Sequence, residues 1–219
     1  MSKTINGNGC SKAIAAATNA LNDGKFFEAE GLALSALEEA RAAEDYTMMA
    51  AALPVLRDAR IQLVEAAFAA SQEIRHLTEP FEEGDKVEAG CILVQPPFVG
   101  ADARAIRLAA HDQRVPIAIV CREPLTEMKL RPIVAIGRIT VRARVLPAPD
   151  DENPDMDWFL AAMHELGETA IESIDTGAEI LRQIDGLLDR LDSIPDHPRL
   201  HDALEEICLI AAAAHEKDS

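Results

Sequence analysis

Two pairs of residues spaced four apart have side chains that metal sites use. His164-Glu165-Leu166-Gly167-Glu168 sets an imidazole and a carboxylate on one face of a helix, because residues i and i+4 are neighbours there. A zinc-activated hydrolytic site on such a helix needs a second imidazole where Glu168 stands. The pair therefore reads as exposed polar side chains. His197 and His201 share the spacing, but Pro198 lies between them and belongs in the first turn of a helix. His197 then sits at or before the helix start and need not align with His201, so capping and solvent exposure account for both. No metal or other cofactor is implied.

Nucleophilic chemistry finds no better footing. The four cysteines (Cys10, Cys91, Cys121 and Cys208) are dispersed, form no C-x-x-C pair and occupy no nucleophile elbow. They read as reduced packing residues of a cytoplasmic protein. Gly7-Asn8-Gly9-Cys10-Ser11-Lys12 lacks both the preceding strand and the spacing of a phosphate loop.

Anion binding has two candidate places. Gln95 and Arg122 follow two apolar runs that read as parallel strands, and Gly100 opens the helix between them. Open α/β sheets take ligands at the carboxyl edge of their strands, and a helix N-terminus attracts negative charge. The other place is the arginine series Arg138, Arg142 and Arg144, which falls on one face of a strand read over Ile133–Val145. Like charges at i and i+2 need something negative opposite. The acidic C-terminal helices, through Asp185, Asp189 or Asp192, are the expected partner ahead of an external anion or acidic partner.

The elements that must position these residues centre on 87–145. Cys91–Gln95 and Pro116–Cys121 are short apolar runs without polar alternation, as in strands buried on both faces. Between them Ala103, Ile106, Leu108 and Ala110 against Arg104, Arg107 and Asp112 give an amphipathic helix, which completes a βαβ unit. From Ile133 to Val145 the odd positions are small or apolar, which predicts one long third strand. One crossover helix leaves a sheet face bare, so helices from the flanks must cover it.

Those flanks read as helical. After a polar, Gly-rich tail (1–10), Ser11 is a plausible N-cap for a helix to about Leu21, and a second helix runs from about Phe26 to Ala43. Asp45 caps a third, whose apolar stripe continues to about Leu77 and whose Pro54 should kink or restart it. Past a Pro-rich linker, Asn153-Pro154-Asp155 reads as N-cap, N1 proline and first-turn acid, and Thr176–Glu179 as a capping box for a helix stopped by Pro195. A last helix runs from about Pro198 to Ala214.

Gly24-Lys25-Phe26-Phe27-Glu28-Ala29, followed by Ala36-Leu37, resembles the turn and second helix of a tetratricopeptide repeat. The likeness covers about residues 11–43. It departs from that family at Ala16, Ala17 and Ala20, which replace larger or Gly positions, and at Arg41, near which a proline usually closes the repeat. It implies a hairpin of two helices packed closely through Ala29 and Ala36, with Gly24 at the turn, and a protein-binding surface. Gly84–Gly90 and Glu127-Met128-Lys129-Leu130 resemble the turns of lipoyl and biotinyl carrier domains, but here a helix and a strand separate them.

The chain has 219 residues, a net charge of −17, one Trp and one Tyr. Residues 147–219 carry 4 basic and 19 acidic groups, whereas 87–146 carry 9 basic and 5 acidic. Such a chain lacks the cationic surface and stacking platforms of nucleic-acid binders. No apolar run is long enough to span a bilayer. The expectation is an α+β fold, mainly α, with helical hairpins flanking a small mixed sheet that contains the βαβ unit. Segments 11–78, 85–146 and 153–215 are expected to unfold as one cooperative unit. The first functional reading is a non-enzymatic interaction or scaffold protein that binds another protein, and homo-oligomerisation stays open. The alternative is an anion- or small-ligand-binding regulatory module using Gln95, Gly100 and Arg122.

Overall fold

The computed structural model describes residues 7–71 and 73–218. Its elements run α1 (Gly7–Asn22), α2 (Phe26–Ala42), α3 (Tyr46–Ala70), β1 (Ile74–His76), β2 (Gly90–Val94), α4 (Gly100–Asp112), β3 (Ile117–Arg122), β4 (Arg131–Ile136), β5 (Thr140–Val145), α5 (Met156–Glu172), α6 (Ile180–Ser193) and α7 (Pro198–Asp218). The fold is α+β and mainly α, with one mixed sheet that contains the βαβ unit. Two compact units emerge: Met1–Gln62 with Asp175–Leu188 and Pro198–Ser219, and Leu63–Ile174 with Asp189–His197. Two of the four boundaries fall inside α3 and α6, and the other two lie in the α5–α6 and α6–α7 connections. Among the described residues, no helix is long and apolar enough to cross a membrane.

The helical unit is built on small residues. Ala17, Ala29, Ala33 and Ala36 have no exposed surface, so α1 and α2 can approach closely. Gly24 takes φ +74° where α1 ends, and the amides of Gly24 and Lys25 bond the carbonyls of Leu21 and Ala20 at 3.0 and 2.9 Å. That pairing closes the helix through a left-handed residue, which glycine adopts without a side-chain clash. The α2–α3 corner repeats it with Glu44 at φ +55°, and the amide of Asp45 bonds Ala40. Asp45 then caps α3, accepting from the Met48 amide at 3.0 Å. α3 runs unbroken through Pro54.

The second unit holds the sheet, ordered β1-β2-β3-β4-β5. β1, β2 and β3 are parallel, and β4 and β5 continue it antiparallel. On one face Ile92, Val94, Ile119, Cys121 and Val134 bury against Ala103, Ile106 and Ala110 of α4. Alternate residues (Cys91, Leu93, Ala118, Val120, Ile133, Ala135, Val141, Ala143) are also buried and point the other way, where α5 covers β3, β4 and β5.

Several local expectations need correction. α1 begins at Gly7, so Ser11 lies inside it and residues 7–10 are helical; the rest of the expected tail, 1–6, lies outside the described residues. α3 ends at Ala70, because Ile74–His76 pair with Cys91–Leu93 as an edge strand, an arrangement extended by the bond from the Leu77 amide to the Leu93 carbonyl. The strand read over Ile133–Val145 is a hairpin, Ile136 facing Thr140 across the turn 137–139. A three-residue turn keeps odd residues facing odd, as Ile133 faces Ala143. Period-2 alternation therefore runs through the turn without a break. Asp155, and not Asn153, caps α5, its carboxylate accepting from the Trp158 amide at 2.8 Å. α6 starts at Ile180, too late for Thr176 to cap it.

Candidate functional site

Three parallel strands bring their carboxyl ends to one edge of the sheet, and an antiparallel β4 starts there. His76, Gln95, Arg122 and Arg131 are thereby collected from sequence-distant places. Arg122 is 5% exposed. Its Nε donates to Gln95 Oε1 at 2.9 Å, and its Nη2 reaches the same oxygen. It also donates to the Asp151 carboxylate at 3.3 Å through Nη1 and to the Asp151 carbonyl at 2.7 Å through Nη2. The guanidinium stands 5.8 Å from the ring centre of Trp158, a cation–π arrangement.

Arg131 converges on the same acid. Its Nη2 donates to Asp151 Oδ2, and its Nη1 donates to the Glu123 carbonyl at 3.0 Å. The Arg131 Nε is buried and makes no hydrogen bond. One carboxylate thus bridges two guanidiniums whose side chains are 6% and 12% exposed, while the Asp151 side chain is 35% exposed. The Glu123 carboxylate is engaged by Arg142, from Nε at 2.9 Å and Nη2 at 2.7 Å. Burial holds both Arg122 and Arg131 below the ordinary arginine value, and for Arg122 the Arg131 charge adds to it. Burial, then the Arg122 charge, also pulls His76 down.

Asp151 belongs to the stretch between Val145 and Met156, which has neither helix nor strand. That stretch is tied at both ends. Trp158 Nε1 donates to the Leu146 carbonyl at 2.9 Å, and Asp155 caps α5. Asp150 folds the middle into a turn by accepting from the amides of Glu152 and Asn153 at 3.0 and 3.2 Å.

Gln95 and Arg122 are therefore brought into direct contact, but Gly100 does not join them. It is buried against β4, where an added Cβ would come within 2.8 Å of Ile136 Cδ1. The first turn of α4 already carries a carboxylate, Asp102 accepting from the Val99 amide at 2.7 Å. The arginine series divides as well. Arg142 and Arg144 are exposed on β5, whereas Arg138 lies in the hairpin turn. The Arg138 amide donates to Asp192 at 2.7 Å, and its guanidinium stands 3.9 Å from Asp189. Asp185 instead meets Arg41, at 2.5 Å.

The histidines are not the exposed capping residues they were expected to be. His197 is buried, 2.9 Å from Glu168 and edge-on to His164. It fits because position 167 is glycine: a Cβ there would fall 2.1 Å from the imidazole Cγ. His201 is 1% exposed and stands 3.3 Å from Arg60, which donates to Glu30 at 2.8 Å. Among the described residues, no group of three His, Cys, Asp or Glu side chains could hold a metal. Burial pushes the Cys91 thiol up to about 11 and those of Cys121 and Cys208 up to about 12, far from a thiolate nucleophile.

Arg131, Asp151 and Trp158 escaped the sequence reading. Arg131 falls just before the run read as a strand, and Asp151 in a segment read only as linker. The signal available was that the strand-end position Arg122 would need a carboxylate if buried. No protein-family model, curated protein or solved structure matches this chain.

Proposed function

We propose that the protein is a non-catalytic regulatory module that binds a small anionic ligand at the carboxyl edge of its sheet. One observation carries this reading: a buried arginine and a half-buried one from neighbouring strands converge on a single carboxylate supplied by a loop. Planar guanidiniums recognise paired oxygens, and burial strengthens each contact by excluding water. Gln95 and the Glu123 carbonyl hold the arginines in place, so the cradle is anchored to the strands. Buried, protonated thiols favour binding over covalent chemistry. A cytoplasmic setting is part of the proposal and agrees with four unpaired cysteines.

The test is a melting-temperature series in inorganic phosphate against chloride at matched ionic strength. Specific binding raises stability by mass action. Phosphate should stabilise the native chain, and Arg122→Gln should abolish the difference between the salts. A second reading keeps the protein as a scaffold that binds another protein through the α1–α2 hairpin. The close approach of those helices through Ala29, Ala33 and Ala36 favours it. It calls for no phosphate-specific stabilisation.

A further inference from the structure

We infer that Asp151 is a built-in competitor for this site, displaced by a dianionic ligand such as a phosphate group, with local release of the 149–153 loop. The inference rests on the proposed anion site and adds to it a ligand class and a regulatory contact.

Charge is the first argument. Arg122 and Arg131 share one carboxylate, and the nearby Glu123 carboxylate is taken by Arg142, leaving Arg131 only the Glu123 carbonyl. The pair of guanidiniums therefore carries one positive charge more than Asp151 neutralises. A dianion removes that excess, whereas a monoanion only replaces Asp151.

Geometry is the second. The two Asp151 oxygens are each assigned to a different guanidinium, an arrangement that two oxygens of a phosphate reproduce. The buried Arg131 Nε adds a donor that Asp151 leaves without a hydrogen bond. A ligand with three or four acceptor oxygens has an oxygen to spare for it.

Exchangeability is the third. Asp151 is more exposed than either arginine and lies on a stretch without regular structure. The anchors at the Leu146 carbonyl, the buried Ala148 and the Asp155 cap lie outside 149–153, so this shorter loop can move without unravelling β5 or α5. Gln95 and the Glu123 carbonyl keep the arginines aimed once Asp151 has left.

If Asp151 occupies the arginines about nine-tenths of the time, its loss should tighten ligand binding about tenfold. The experiment is calorimetric titration of inorganic phosphate, above neutral pH, into the full chain and into Asp151→Asn, Arg122→Gln and Arg131→Gln. Asp151→Asn should bind about tenfold more tightly than the native chain, and both arginine variants should lose binding. Acetate at the same ionic strength should bind less tightly than phosphate. Native-state amide exchange at 150–153 should accelerate when phosphate saturates the native chain. Equal affinity in the native chain and Asp151→Asn, with binding still lost in Arg122→Gln, overturns the competitor and leaves the anion site standing. Absence of phosphate binding from both overturns the site itself. Should Asp151→Asn fail to fold, exchange at 150–153 decides, and slowed or unchanged exchange overturns the competitor.

Discussion

Each unit buries arginine against carboxylate, but the two contacts are built differently. In the helical unit Arg60 of α3 meets Glu30 of α2, with side chains 11% and 8% exposed, and His201 of α7 stands beside Arg60. All three groups are carried by helices. In the sheet unit the arginines are carried by strands, but the acid sits on a loop and is a third exposed. A charge held on rigid elements at both ends cannot leave without loosening the fold. A loop carboxylate over a strand-held cradle can exchange with solvent or a competing anion. Burial of an ion pair alone therefore does not separate architecture from recognition. The regularity of the element carrying each partner, helix or irregular loop, is what differs.

The largest expected effect strikes the helical contact. Glu30→Ala leaves the Arg60 charge buried without its acid, which should destabilise by about 3–5 kcal/mol. Urea denaturation measures it, and a loss below about 1 kcal/mol would remove the contrast between the units. Next comes the core around that contact. Ala29 has no exposed surface, so Ala29→Leu should overpack the α1–α2 contact and destabilise by about 1–3 kcal/mol. An unchanged melting temperature would mean the helices part more easily than their alanines imply.

Asp151→Asn should destabilise less than Glu30→Ala, by about 1–2 kcal/mol, since Gln95 and the Glu123 carbonyl still satisfy the arginines. Phosphate should restore that loss at Asp151, and it should not rescue Glu30→Ala. Equal losses at the two acids, both indifferent to phosphate, would make the sheet-edge contact architectural as well.

The smallest effect is a pH dependence. His76 is held below its ordinary value in the folded chain, by burial and then by Arg122, so the unfolded chain takes the proton first as pH falls. This histidine therefore contributes a loss of stability that begins near its unfolded value of about 6.5 and grows below it. His76→Gln should match the native chain above neutrality and show a shallower decline in acid. Parallel pH profiles for the two proteins would argue that neither burial nor Arg122 shifts His76.

Local pattern alone determined a good share of this protein. Unbroken apolar runs located β2 and β3, helical spacing located α4, and Asp45 and Gly24 marked the turns around α2 and α3, because each signal is complete within a few residues. The rest depended on partners distant along the chain. Ile74 fits the apolar stripe of α3 and a strand equally well, and only pairing with Cys91 selects the strand. Ile133–Val145 alternates as one strand because a three-residue turn preserves parity, and no local residue reveals the fold-back. His197 is buried because Gly167, thirty positions earlier, leaves room for its ring. Asp151 meets Arg122 and Arg131 from 29 and 20 residues away. Propensity and periodicity act between neighbours, whereas the charge environment of a buried arginine is set by whichever segments the fold brings within a few ångströms.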